Sequence, residues 1–391
     1  MSYNKQYINR ILFNNSNFLN KKSSIPQKID IELTERCNNN CIHCYINQPE
    51  NDEELKKKEL STQRLKEIIK EIADLGCLSI RFTGGEPLLR KDFKELYLFT
   101  RRQGLKVVLF TNATLIDEEL VSLFVKYPPG DKIEITLYGT DEKSYQKAAG
   151  VKGNFKKAIN GINLLEKNNI SFIVKGIYFS GREKQAQSLI NYSRHIPYMD
   201  DMPSFSMNFD LRARRDSKEK NEIIKSLRVS PEETIKFISM GKEEYIKGTK
   251  EFAKKFMRPA GDSIFNCGCG KGGAVDAYGK FQPCLLLRHP DALYDLENGS
   301  IKDALNVFFV ELRKQKSKNL DYLNKCAKCF LSGFCENCPA KSWMEHGVLD
   351  SPVDYYCEIA HAKARFLGLL NENEFGWEVK DFEKRIAKFC E

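Results

Sequence analysis

TERCNNNCIHCY, residues 34–45, places Cys37, Cys41 and Cys44 within eight positions, directly after the apolar run IDIEL. Three thiolates leave a four-ligand metal site one short. Either a fourth ligand arrives from elsewhere in the chain, or one position stays open to a group that is not protein. A structural zinc site completed by His43 or by a distant residue is one reading. Zinc more often takes C-x2-C pairs from two separate knuckles. A single C-x3-C-x2-C loop fits a [4Fe–4S] cluster with one free iron better.

The chain has 391 residues, more than one ordinary core holds, so two or three domains are expected. No apolar run approaches the 18 or so residues that cross a bilayer, so no membrane partner is expected. The start, MSYNKQYINRILFNN, has neither an apolar core nor a small-residue cleavage site, which predicts a cytoplasmic protein. There the 13 cysteines, odd in number and closely spaced, point to metal and not to disulfides. The net charge of +9 is spread along the chain. No basic run is interleaved with aromatics, so nucleic acid is not expected as a partner.

From residue 28 to about 212, β-rich runs alternate with amphipathic stretches. Strands are expected at 28–34, 78–84, 106–112, 132–139, 171–178 and 204–212. STQRLKEIIKEIADLG opens with a Ser/Thr cap and sets Leu65, Ile68, Ile69, Ile72 and Leu75 on one helical face. Six β-then-α repeats predict a parallel sheet with helices outside, an open relative of the eight-stranded barrel, with function at the C-terminal strand ends. The three-cysteine loop falls at that end. Residues 213–228, highly charged, read as a linker or exposed turn. SPEETIKFISMGKEEYIK reads as one more helix. Glycines and cysteines dominate from 261 to 357, a composition often held together by metal. The expected division is an N-terminal extension (1–27), a partial barrel (28–229), a bridging helix (230–260), a cysteine-rich domain (261–360) and a helical end (361–391).

After the second strand comes TGGEP, residues 83–87. Paired glycines let backbone approach a ligand closely, and Glu86 adds an acceptor for an ammonium group. With CNNNCIHC, this stretch resembles the radical S-adenosylmethionine (radical SAM) superfamily over roughly residues 28–212. The resemblance implies an α/β fold, a partial (β/α)6 TIM-like barrel, and a [4Fe–4S] cluster on Cys37, Cys41 and Cys44. Its open iron would be chelated by the amino and carboxylate groups of S-adenosyl-L-methionine, whose reductive cleavage gives a 5′-deoxyadenosyl radical. By position, Gly84, Gly85 and Glu86 would meet the methionine end. Thr111, Asn112 and Thr136 match polar strand-end positions against the ribose and carboxylate. His43 matches a position near the adenine, and Lys175 is a further candidate for the carboxylate.

Eight more cysteines lie between 267 and 357, in the pattern C-x-C-x9-G-x4-C, then C-x2-C-x5-C-x2-C, then Cys357. Two structural zinc sites would use the same residues. After the barrel motifs, the segment resembles the SPASM domain, although the usual C-x3-C is C-x2-C here. The resemblance implies two auxiliary [4Fe–4S] clusters, three in all. The first would use Cys267, Cys269, Cys284 and Cys338, and the second Cys326, Cys329, Cys335 and Cys357. Cys77 and Cys390 are left over.

SPASM-bearing enzymes mostly modify residues within a peptide or protein. A thioether or C–C crosslink in a ribosomally made precursor peptide (a RiPP modification) is a two-electron oxidation, for which auxiliary clusters offer an electron exit. Formylglycine formation in a sulfatase is disfavoured, because Leu285 stands where that subfamily has an Asp after the G-x4-C cysteine. Epimerisation needs a hydrogen donor, and only Cys77 and Cys390 are free. Oxidative peptide maturation is therefore expected, with a flavodoxin or ferredoxin as electron donor. The short stretch before the first strand would leave any leader peptide to a separate binding protein. Asp210 and Arg212, at the end of the sixth strand, are candidates to face the substrate or to form a salt bridge at the barrel rim. A non-catalytic metal protein and a radical enzyme of cofactor synthesis are the alternatives.

Overall fold

The computed structural model describes residues 25–199 and 201–391, so most of the expected N-terminal extension lies outside the described residues. Strand β1 (Lys28–Thr34) is buried from its second residue onward, as an interior strand of a parallel sheet should be. Ile29, Ile31 and Leu33 join the core under the helices, and the alternate residues Asp30, Glu32 and Thr34 face the other side. Strands β2 (Ser79–Gly84), β3 (Lys106–Thr111), β4 (Ile133–Thr136), β5 (Phe172–Ile177) and β6 (Phe205–Ser206) follow in spatial order, each parallel to the one before. The connections carry α1 (Thr62–Asp74), α2 (Phe93–Arg102), α3 (Glu118–Lys126), α4 (Glu142–Ala149), α5 (Asn154–Lys167) and α6 (Glu183–Ser193). Helix α1 starts where Ser61 accepts from the Arg64 N–H, and it buries Leu65, Ile68, Ile69 and Ile72 against the sheet. This is the α/β partial barrel expected.

Three expectations needed correction. The sixth strand keeps only two ladder residues of the expected 204–212, because the chain beyond it bonds to the cysteine loop instead: the Ala213 N–H donates to the Tyr45 carbonyl at 3.0 Å. Residues 213–228 are not a linker. They hold helix α7 (Lys218–Leu227), capped by Ser217 and anchored by fully buried Ile224 and partly buried Leu227, two apolar contacts too sparse to show as periodicity. The bridging helix is two helices, α8 (Pro231–Ser239), opened by the Ser230/Glu233 capping box, and α9 (Lys242–Phe256), with the break at Gly241. Helix α4 escaped the sequence reading because it is short and polar; Asp141 and Ser144 cap it reciprocally.

The cysteine-rich segment adds strands to the same sheet. Strands β7 (Gly273–Val275), β8 (Lys280–Gln282) and β9 (Tyr294–Asp295) form an antiparallel set, and β7 runs parallel to β1 with Ile31 opposite Val275. The order is β9-β8-β7-β1-β2-β3-β4-β5-β6. Helices α10 (Pro339–His346), α11 (Asp354–Phe366) and α12 (Phe382–Cys390) complete the chain. A second apolar core under them includes Met257, Phe330, Leu331 and Leu369. Among the described residues no helix is long and apolar enough to cross a membrane.

Candidate active site

The cysteine loop leaves the C-terminal end of β1 and returns beside itself. Arg36–Cys37 pairs with Gln48–Pro49, and the Gln48 N–H donates to the Glu35 carbonyl at 2.8 Å. Within the loop the backbone N–H groups of Asn39 and Asn47 donate to Cys37 Sγ at 3.4 Å and to Cys44 Sγ at 3.3 Å. The three asparagines of CNNNC are anchors. Asn38 Oδ1 accepts from Asn112 Nδ2 at 2.9 Å, Asn39 Oδ1 accepts from Asn154 Nδ2 at 2.8 Å, and the Asn40 N–H donates to the Ala149 carbonyl at 2.8 Å. Burial pushes the Cys41 thiol up to about 12 and the Cys37 thiol well above its usual range. Binding a metal group here must therefore displace protons.

TGGEP lies against this loop. A Cβ on Gly85 would stand 2.3 Å from the Arg36 carbonyl oxygen, and one on Gly84, at φ 125°, 2.1 Å from that of Thr34. Both glycines are thus required by the close approach of β2's end to the cysteine loop itself, not only by approach to a ligand. Glu86 is fully buried and is raised to about 7, by burial first, against the hydrogen bonds it accepts. Those bonds come from the Asn112 N–H (2.8 Å), the Leu88 N–H (3.1 Å) and the Thr111 hydroxyl (2.8 Å). Three of its roughly four acceptor positions are filled from the protein, leaving one for an ammonium group. Glu86, Thr111 and Asn112 form one hydrogen-bonded unit beside Cys37, whose sulfur lies 3.9 Å from Asn112 Nδ2.

His43 is half-buried with its Nδ1 atom enclosed and unpartnered, its ring 5.0 Å from Phe209, 5.6 Å from Phe179 and 5.8 Å from Tyr138. Burial lowers it to about 3, so it stands neutral. Thr136 ends β4, half-buried. Lys175 is paired with Glu134 inside the sheet's curve and lies 4.5 Å over the Phe110 ring. It is engaged, not free for a carboxylate.

The two residues expected at the substrate face are rim contacts. Arg212 is 3% exposed and donates from Nη1 to the carbonyls of Cys44 and Asn47, 3.2 Å each. Asp210 accepts from the Tyr356 hydroxyl at 3.1 Å and pairs with Lys341 at 3.2 Å, tying the end of the barrel to α10 and α11. Sequence reading passed over Lys341, which is also 2.6 Å from Glu336, and Arg288, whose Nη2 donates to both Glu32 oxygens at 2.8 and 2.6 Å. Neither carries a motif; only the fold brings their partners to them.

The eight C-terminal cysteines fall into two neighbourhoods. Cys269 feels the thiolates of Cys267, Cys284 and Cys338, and Cys338 feels those of Cys284 and Cys267. Cys329 feels Cys335, Cys357 and Cys326. A cavity of about 730 Å³ between them is lined by Cys267, Cys326, Cys329, Cys335, Cys338 and Cys357. Among the described residues no three His, Cys, Asp or Glu side chains converge closely enough for a single metal ion. Four thiolates on zinc would stand roughly 3.8 Å apart, from a Zn–S bond of about 2.3 Å. A four-iron cubane holds its thiolates wider. Cys77 is buried with Sγ 3.3 Å from the Ser79 carbonyl, and Cys390 is 3.4 Å from that of Lys250, so neither stands at the barrel mouth.

Residues 31–188 match the Radical SAM superfamily family model. The chain is 36% identical over 138 residues to an Fe-coproporphyrin III synthase of Methanosarcina barkeri, a match covering 35% of this chain and 33% of that protein. The chain thus spans a third of that relative's length. It is 24% identical over 323 residues to the antilisterial bacteriocin subtilosin biosynthesis protein AlbA of Bacillus subtilis, covering 81% of this chain and 68% of AlbA. The crystal structure of Streptococcus suis SuiB bound to precursor peptide SuiA has the same fold, with a TM-score of 0.62 at 16% identity over 86% of this chain and 76% of SuiB. Cysteine loop, TGGEP contact, parallel barrel and family match agree: residues 31–188 form a domain of the Radical SAM superfamily, in a chain whose fold is that of SuiB.

Proposed function

We propose that the chain is a peptide maturase that oxidatively modifies a residue of a ribosomally made precursor, forming a thioether or C–C crosslink. The observation that carries this reading is the grouping of the eight C-terminal cysteines into two sets of four beside the barrel, with Cys338 joining Cys267, Cys269 and Cys284. Two fully thiolate-ligated auxiliary [4Fe–4S] clusters on these cysteines would give an oxidative crosslink the exit for electrons that it needs. Similarity to AlbA, named for bacteriocin biosynthesis, over 81% of this chain and 68% of AlbA, and the fold shared with peptide-bound SuiB support it.

Cys37, Cys41 and Cys44 would hold a [4Fe–4S] cluster, which would supply the electron for reductive cleavage of S-adenosylmethionine. The protein's own residues do the rest. Asn38, Asn39 and Asn40 fix the loop, while Glu86 locks the end of β2 to that of β3. The apolar rings around His43 exclude water from the reacting centre. Leu285 after Cys284 argues against sulfatase-type maturation, and the placement of Cys77 and Cys390 argues against epimerisation. A flavodoxin or ferredoxin would supply the electron.

The second reading, a radical enzyme of tetrapyrrole or other cofactor synthesis, is favoured by the 36% identity to the Fe-coproporphyrin III synthase, which is confined to 138 residues. The test is anaerobic reconstitution followed by counts of iron, sulfide and 5′-deoxyadenosine, then mass spectrometry of peptides encoded beside the gene. About twelve irons per chain and a peptide lighter by two hydrogens support the maturase. Deoxyadenosine release stimulated by a porphyrin and by no peptide refutes it.

A further inference from the structure

The segment that reads as a linker in the sequence builds a charged cradle against the cysteine loop. Arg212 donates through Nη1 to the Cys44 and Asn47 carbonyls and to Asn47 Oδ1, all at 3.2 Å, while its Nε and Nη2 each bind the Asp216 carboxylate at 2.8 Å. Lys220, in the first turn of α7, donates from Nζ to Asn47 Oδ1 at 2.5 Å. Asn47 in turn gives its backbone N–H to Cys44 Sγ. Arg212 and Lys220 carry two positive charges and Asp216 one negative, which leaves a net +1 on this side of the loop. Burial lowers the proton affinity of Lys220, as does Arg212, while Cys44, Cys41 and Asp216 raise it.

We propose that Lys220 is a positioning and redox-tuning residue: with Arg212 it fixes Asn47 against Cys44 and makes a cluster on Cys37, Cys41 and Cys44 easier to reduce. The inference deepens the radical SAM reading and rests on it. Reduction adds one electron from an external donor and makes the thiolate-bound group one charge more negative; no bond forms or breaks. A cation and an N–H···S hydrogen bond both favour that more negative state. A unit charge a few Å away, at an effective dielectric of about 20, changes such an equilibrium by about tenfold or more.

The test is an anaerobic redox titration of the full chain, reconstituted with iron and sulfide and read by electron paramagnetic resonance. The signal that changes shape when S-adenosylmethionine is added belongs to the loop with the open iron. Lys220→Met is expected to lower the reduced-to-oxidised ratio of that signal about tenfold at fixed potential, which is about 59 mV for one electron. Lys220→Arg should restore it. Lys225→Met, an exposed lysine of the same helix paired with Glu222, should leave it unchanged. An unshifted signal in Lys220→Met overturns the proposal. Loss of the loop's iron in that variant also overturns it, because the role would then be structural. If no signal of the unaltered protein responds to S-adenosylmethionine, the radical SAM reading itself fails, and the proposal with it.

Discussion

Replacing Arg288 by methionine should destabilise the protein in a pH-dependent way. Arg288 is enclosed between the barrel and the cysteine-rich segment, its side chain 1% exposed. It meets Glu32 on β1, Glu35 at the root of the cysteine loop (3.1 Å) and Asp276 after β7 (3.7 Å). Arg214 pairs with the last two from the outside. Removing one partner of a buried ion cluster costs about 3–5 kcal/mol, because carboxylates are left desolvated and unpaired. Even with Arg288 in place, burial raises Glu32 from 4.5 to about 7. The sign follows. Below 4.5 Glu32 is protonated folded and unfolded, and its shift costs nothing relative to the low-pH state. Between 4.5 and 7 the unfolded chain releases the proton and the folded chain keeps it, so stability falls as pH rises. Above 7 the cost levels at about 3 kcal/mol. Arg288→Met moves that upper limit further up, so the loss of about 3–5 kcal/mol expected at pH 8 should be smaller near pH 5, by about 1.4 kcal/mol from Glu32 for the one pH unit between 7 and 8. Urea unfolding, followed by Trp343 fluorescence in a Trp377→Phe background, reads it locally, because the Trp343 ring lies 4.7 Å from that of His289. A loss under about 1 kcal/mol at pH 8, or an equal loss at both pH values, would refute the reasoning.

Three further outcomes are expected. Gly85→Ala sets a Cβ 2.3 Å from the Arg36 carbonyl, so this variant should lose about four irons while keeping those of the C-terminal cysteines; full iron content would contradict the packing argument. Cys284→Ser and Cys338→Ser should each lose about four irons, and the double variant no more. Cys338→Ser with Cys357→Ser should lose about eight, and the reverse pattern would break the proposed grouping. His43→Phe should keep the loop's iron and leave the pH profile of S-adenosylmethionine cleavage unchanged between pH 6 and 9. The imidazole, lowered to about 3 by burial, is neutral throughout that window, and an inflection lost in the variant would show otherwise.

The sequence by itself determined the chemistry that local spacing can carry. Cys37, Cys41 and Cys44 are close in the chain, as are Gly84, Gly85 and Glu86, so their association needs no long-range folding. The period-2 runs of β1 to β5 and the period-3.6 face of α1 likewise follow from neighbours a few residues apart. What the tertiary structure decided are the contacts made across the chain by residues with no motif. Arg212 and Lys220 reach the cysteine loop from more than 160 positions away, and Arg288 reaches Glu32 across 256. Helix α7 was illegible because only Ile224 and Leu227 anchor it, and the expected sixth strand stopped short because its backbone bonds to the loop. The glycines of TGGEP were legible as glycines, but only the fold shows that the backbone they admit is the cysteine loop's own. A charged side chain in sequence looks solvated by default; burial against partners from distant strands gives it a role, and burial is a property of the folded chain alone.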